Sequence, residues 1–164
     1  FFCSVGMSVF DVMKNRVSVP GVGKVTLTEL LSNKKYDKIY IMLGINELGY
    51  NTQKILDRYE KLIEFIDSCQ GASVFVQANL HVTEKRSSDG GYINNSAIDS
   101  LNAALSELAV RCGAFYIDVN PLFDDASHSL ASDKTSDNAH LYAKYYAEWG
   151  DWIREETAKY IKEG

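Results

Sequence analysis

The chain has 164 residues and a formal net charge of -5: room for one hydrophobic core, without the clustered lysine and arginine that nucleic-acid phosphates demand. Two prolines and an even spread of charge argue against a disordered polymer, and no apolar run approaches the ~20 residues that cross a bilayer. The longest such run, residues 39–43, has the length of a strand. Lys34-Lys35 and Lys85-Arg86 are the basic doublets and read as solvated turns. Cys3, Cys69 and Cys112 form no CxxC pair and lie in or beside apolar segments, which reads as reduced core thiols. The chain opens on Phe1-Phe2-Cys3 with no initiator methionine, so its natural beginning is expected upstream, and its compartment, secreted or otherwise, stays open.

In chain order, residues 1–5 read as a strand that turns at Gly6, residues 8–15 as a short helix, and residues 17–24 as a loop around Pro20, Gly21 and Gly23. Leu27, Leu30 and Leu31 mark a second short helix. Residues 37–43 are the clearest strand, apolar on both faces as burial within a parallel sheet requires. A helix follows over residues 52–70, with Ile55, Tyr59, Leu62, Ile63 and Ile66 on one face. Residues 72–78 are the next strand, and a polar loop runs from Asn79 to Tyr92. Ile98, Leu101, Leu105 and Leu108 stripe another helix, closed by Gly113, and residues 114–119 form a last short strand. An irregular segment, 120–138, leads to a final helix striped by Tyr146, Trp149, Trp152, Ile153 and Tyr160. Short apolar runs alternating with helical patterns predict an α/β fold with a parallel sheet, in one domain over residues 1–164.

Two motifs carry chemistry. Asp137 stands three residues before His140, close enough to lay its carboxylate on one imidazole nitrogen and leave the other to take a proton from a nucleophile. Gly44-Ile45-Asn46-Glu47 closes the strand at 37–43 and places an amide donor at its carboxyl end, where ligands bind in open parallel sheets. Gly6, in Ser4-Val5-Gly6-Met7-Ser8, would turn after the strand at 1–5.

This set and order resemble the SGNH hydrolases, also called GDSL-type esterases and lipases. Tyr116-Ile117-Asp118-Val119-Asn120-Pro121-Leu122-Phe123 and His140-Leu141 with Tyr146-Ala147-Glu148-Trp149 extend the resemblance along the chain. It implies a three-layer α/β/α sandwich with a short, flavodoxin-like parallel sheet. It implies that Gly6 and Asn46 donate to an oxyanion, that His140 is general base, that Asp137 orients it, and that Gly44 and Glu47 support the site. One preset oxyanion donor is worth roughly 3 kcal/mol in such chemistry. The implied reaction is hydrolysis of a carboxylic ester through an acyl-serine, with no metal or organic cofactor. Small O-acyl groups, such as acetyl on a saccharide, are the expected substrates.

The family's first block, a strand ending in Gly-Asp-Ser, does not occur in these residues. The chain alone is therefore expected to lack esterase activity. An interior first strand would be missing with it, leaving sheet edges that must pair, a second copy included. Three departures from the family stand out: Glu47 in place of aspartate, His81 after Leu80 in place of proline, and Tyr145 in place of glycine.

Plainer readings compete. Asp137 suits the N-cap of the last helix, and Asn46 a simple turn. Ser4 and Ser8 are weak substitutes for the nucleophile. His81 with Glu84 and Asp89, and His128 with Asp124 and Asp125, are too loosely spaced for zinc and read as polar loop beside the pocket. The aromatics of the last helix read as core. Two alternatives belong to other classes: a catalytically dead module of this family that binds a glycan or protein, and a flavodoxin-like binding domain that matches by chance.

Overall fold

A computed structural model describes residues 1–161. Its centre is a three-stranded parallel sheet in the order β3 (Lys38–Ile41), β4 (Ser73–Gln77), β5 (Phe115–Ile117). An antiparallel hairpin, β1 (Val17–Val19) with β2 (Gly23–Val25), stands apart from it. Helices α1 (Leu27–Asn33), α2 (Thr52–Gln70) and α4 (Asn95–Arg111) cover one face of the parallel sheet, and α6 (Tyr146–Ile161) covers the other.

Strand alternation decides which side chains meet which layer. Ile41, Val74 and Val76 face α2 and α4, where Ile55, Tyr59, Leu62, Ile63, Leu101, Leu105 and Leu108 close the main core. Tyr40, Phe75 and Phe115 point the opposite way. They lie side by side in register and stack with ring centroids 5.0 Å apart at both steps. Each such pair contributes roughly 0.5–1.5 kcal/mol beyond its burial. Tyr160 of α6 lies against this row, 4.9 Å from Phe115, and its hydroxyl donates to the Tyr116 carbonyl at 2.7 Å. Trp149 and Trp152 fasten the same helix by donating to Gln77 Oε1 (3.1 Å) and the Asp118 carbonyl (3.0 Å). Local chemistry sets the helix ends: a Thr26–Glu29 capping box starts α1, Asn51 caps α2, and Gly71 closes α2 in the left-handed region.

Several expectations fail for physical reasons. Residues 1–5 form no strand: they pair with no other strand among the described residues, and Phe1 and Val5 are fully exposed. Cys3 is exposed, while Cys69 and Cys112 are half-buried and pack against the edge of the main core. Residues 8–15 make successive turns and no regular helix, with bonds from the Val12 N–H to the Ser8 carbonyl and from the Asn15 N–H to the Asp11 carbonyl among them, and the Ser8 hydroxyl accepting the Phe10 N–H. The loop expected at 17–24 is the β1–β2 hairpin. Pro20-Gly21 forms its turn, with Gly21 at φ 73° and Val22 N–H returning to the Val19 carbonyl at 3.0 Å.

Strand β3 is not buried on both faces: Lys38 is exposed, Ile39 and Tyr40 are half-buried, and β4 is its only partner among the described residues. The polar loop from 79 is buried through Thr83 and then forms α3 (Glu84–Ser87). The irregular segment contains α5 (Asn120–Phe123) and a 3-10 turn at Ser132–Lys134. In α6, Trp149 is core, but Tyr146 is exposed.

Candidate active site

Behind β3 the chain turns through Gly44, at φ 122°, into a 3-10 turn over Ile45–Glu47. A Cβ at Gly44 would stand 2.8 Å from Leu101 Cδ2 and 3.2 Å from Asn79 Nδ2, so both backbone angle and space require glycine. Tyr59, fully buried on α2, holds the end of the strand: its hydroxyl donates to the Leu43 carbonyl (2.6 Å) and accepts the Leu43 N–H (2.8 Å). Burial pushes that phenol far above its ordinary range, so it remains a donor.

The Asn46 amide donates to the Met7 carbonyl at 2.9 Å, which ties this turn to the exposed turn at Gly6 (φ 68°). Glu47 adds a second tie. It is 1% exposed, its Oε1 accepts the Val9 N–H, and its Oε2 is buried without a partner. Gly6 and Asn46 thus belong to one pair of joined turns, although no regular strand leads into Gly6. Shortening Glu47 to aspartate withdraws the carboxylate from Val9 and leaves a buried N–H unpaired. Glu47→Asp should cost about 1–3 kcal/mol, read as a lower urea midpoint at unchanged slope.

Asp137 and His140 meet directly. The imidazole Nδ1 lies 2.7 Å from Asp137 Oδ2, and a carboxylate only accepts, so Nδ1 carries the proton. Asp137 Oδ1 accepts three further bonds, from the His140 N–H (2.8 Å), the Ala139 N–H (3.0 Å) and the Thr135 hydroxyl (3.1 Å). The backbone bond from His140, the imidazole and the Ala139 bond hold this carboxyl well below the usual carboxylate range. Nε2 has no hydrogen-bond partner among the described residues, and the ring is 81% exposed. The N-cap reading fails: Asp137 caps its own turn, and the next helical turn starts only at Ala143. Ser8 already accepts from Phe10 (3.1 Å), and neither Ser8 nor Ser4 bonds to His140.

One buried segment, 79–83, connects the two halves. Asn79 Oδ1 accepts the Ile45 N–H (3.1 Å) at its start. At its end Thr83 makes two bonds to Asn138, N–H to carbonyl (3.0 Å) and hydroxyl to Oδ1 (3.1 Å), beside Asp137. Asn138 sits at φ 69°, a left-handed conformation that asparagine tolerates.

Buried amides secure the segment: Asn102 brackets Asn79 (2.8 and 2.9 Å), Asn120 accepts the His81 N–H (2.8 Å), and Asn95 exchanges bonds with Val82 (2.9 and 3.0 Å). These asparagines carry no motif in the sequence. The available signal was polarity out of place, since Asn95 and Asn102 lie on the apolar stripe of α4 with Ile98 and Leu105. His81 is no loop side chain toward a pocket, being buried between Asp99 and Asp124. Glu84 instead bonds Ser88 and Ser129, and Asp89 bonds Arg86. Among the described residues no cluster of three His, Cys, Asp or Glu could hold a metal ion, and no helix is long and apolar enough to cross a membrane.

Comparison with solved structures gives the fold a wider setting. A Streptococcus pneumonia chain superposes with a TM-score of 0.66 at 21% identity, over 73% of this chain and 59% of that one. The chain therefore spans less than two thirds of that relative. A GDSL-like lipase from Bacteroides thetaiotaomicron gives 0.68 at 14% identity (94% of this chain, 72% of that one). Est24, a carbohydrate acetylesterase from Sinorhizobium meliloti, gives 0.61 at 17% identity (94% and 74%). At these identities the likeness is one of fold, the three-layer SGNH hydrolase architecture. No curated protein matches the sequence. The model of the GDSL-like Lipase/Acylhydrolase family matches residues 11–148, from the turns beside Gly6 through the Asp137–His140 pair and into α6, and the chain belongs to that family.

Proposed function

We propose that this chain carries the proton-transfer and oxyanion-binding groups of a serine-type carboxylic ester hydrolase. The observation that carries the reading is the Asp137–His140 pair. Asp137 fixes the tautomer with Nδ1 protonated, and the exposed Nε2 is left to take a proton from an attacking hydroxyl. In this reading the Gly6 N–H and the Asn46 amide donate to the oxygen on which charge develops, and Gly44 and Glu47 hold their turns in place. The attacking hydroxyl in this reading is that of the family's Gly-Asp-Ser block, which does not occur in these residues. An acetyl group on a saccharide is the favoured substrate, supported by the carbohydrate acetylesterase among the fold neighbours.

Fluorophosphonate labelling of the full-length protein, with the adduct located by peptide mass spectrometry, tests this directly. An adduct on the serine of that block, accompanied by acetate release from acetylated xylo-oligosaccharides, is the expected result. No adduct on a folded sample would reject catalysis in favour of a module that binds glycan or protein. The 164-residue chain by itself is expected to hydrolyse no ester.

A further inference from the structure

The segment that joins the two halves of the site is itself held by a charge. His81 is 7% exposed, with Nδ1 2.7 Å from Asp124 Oδ2 and Nε2 2.9 Å from Asp99 Oδ1. Each carboxylate can only accept, so both ring nitrogens donate and the ring is an imidazolium. A neutral imidazole would turn a lone pair toward one of the carboxylates. Three elements meet at this ring: the segment leaving β4, helix α4 through Asp99, and the end of α5 through Asp124.

We propose that His81 is a positioning residue for the Asp137–His140 turn: its imidazolium fixes segment 79–83 between α4 and α5, and Thr83 passes that position to Asn138. The catalytic meaning of this device rests on the function proposed above; the mechanical coupling does not. The other anchors of the segment are neutral amide bonds, and hydrogen bonds between ionised groups are roughly twice as strong. A neutral ring retains one N–H, so losing the cation breaks one of the two bonds, and the contact to Asp99, the more exposed carboxylate, is the one most readily given up to water. Nothing in Asp137 or His140 themselves replaces the contact, because Asn138 is their link to Thr83.

The groups that face His81 are Asp99 and Asp124. Tyr116 on β5 lies near Asp99, and burial, then Asp118 and Asp99, push its phenol up, so it stays neutral. Burial works against the charge on His81, but the hydrogen bonds to Asp124 and Asp99 outweigh it and push the imidazole up to about 9. The folded value thus lies above the unfolded one of about 6.5. The pin is complete below pH ~6.5 and is lost as pH rises through about 9.

Amide hydrogen exchange in the full-length protein reads this without reference to catalysis. The reporters are the Thr83 N–H, bonded to Asn138, and the His140 N–H, bonded to Asp137; Ile63 in α2 is the control. With intrinsic exchange divided out, protection at both reporters should fall about tenfold between pH 6.5 and 9.5, while Ile63 changes less than about twofold. His81→Gln should show the lowered protection already at pH 6.5 and no further fall with pH. Asp99→Asn, at the exposed end of the cluster, should lower it by about three- to fivefold and serves if His81→Gln does not fold.

Unchanged protection at Thr83 and His140 in these variants would overturn the proposal. An equal loss at Ile63 would do so too, as would a pH dependence that survives His81→Gln. A protein that fails fluorophosphonate labelling yet shows the exchange pattern loses the proposed function and keeps the pin.

Discussion

Asp137→Asn in the full-length protein is expected to lower kcat for a small acetyl ester by roughly 10³–10⁴, with KM nearly unchanged. The carboxylate contributes little to binding a substrate, because its oxygens are committed to His140, Ala139 and Thr135. What it supplies is a tautomer. An asparagine presents an N–H as readily as a carbonyl to Nδ1, and the ring can then place its proton on Nε2, where it cannot act as a base.

His140→Ala should fall to a similar floor, and the double variant should be no worse than either alone, since the two act as a unit. Steady-state kinetics on the three variants check this. Additive losses, or a loss confined to KM, would remove Asp137 from the mechanism. Because the Asp137 carboxyl is held well below its ordinary value, it stays ionised throughout the range in which esters are assayed. Any loss of activity on mild acidification must come from another group.

The largest expected effect on stability comes from Gly44→Ala. Its φ of 122° lies outside the region open to L side chains, and the added methyl would meet Leu101 Cδ2 at 2.8 Å and Asn79 Nδ2 at 3.2 Å. Leu101 is buried and can yield only by changing rotamer. Asn79 cannot yield without surrendering its bonds to Ile45 and Asn102. Backbone strain and overpacking each cost about 1–3 kcal/mol, and together about 2–4 kcal/mol is expected. For a chain of this size that is a fall in Tm of about 5–15 °C. Urea unfolding should show a lower midpoint at constant slope. A midpoint within error of the parent would mean that the turn re-forms without glycine.

These two sites also mark what could be read from the order of residues. Asp137 with His140 is a local pair, three positions apart, and a side chain reaching its own turn needs no knowledge of the fold. Helix α2 was legible to its ends because periodicity, Asn51 and Gly71 all act within the segment. The α/β class followed for the same reason, apolar runs and helical stripes being properties of contiguous residues.

The three-residue strands β1 and β2 are too short to carry a period. The hairpin in particular is visible only once Val17 finds Val25. Residues 1–5 have the composition of a strand, yet a strand exists only through its partner, and they have none among the described residues. The burial of Glu47 against Val9, of His81 between Asp99 and Asp124, and of Asn79 between Asn102 and Asn120 joins residues 18 to 43 positions apart.

By itself the sequence determined the parallel α/β scaffold, its main helices and the local pairing of Asp137 with His140. Only the tertiary structure decided how Gly6 is tied to Asn46, what buries the segment behind them and which charge holds it. Patterning is written locally, whereas polar groups are buried only where distant parts of the chain supply their partners.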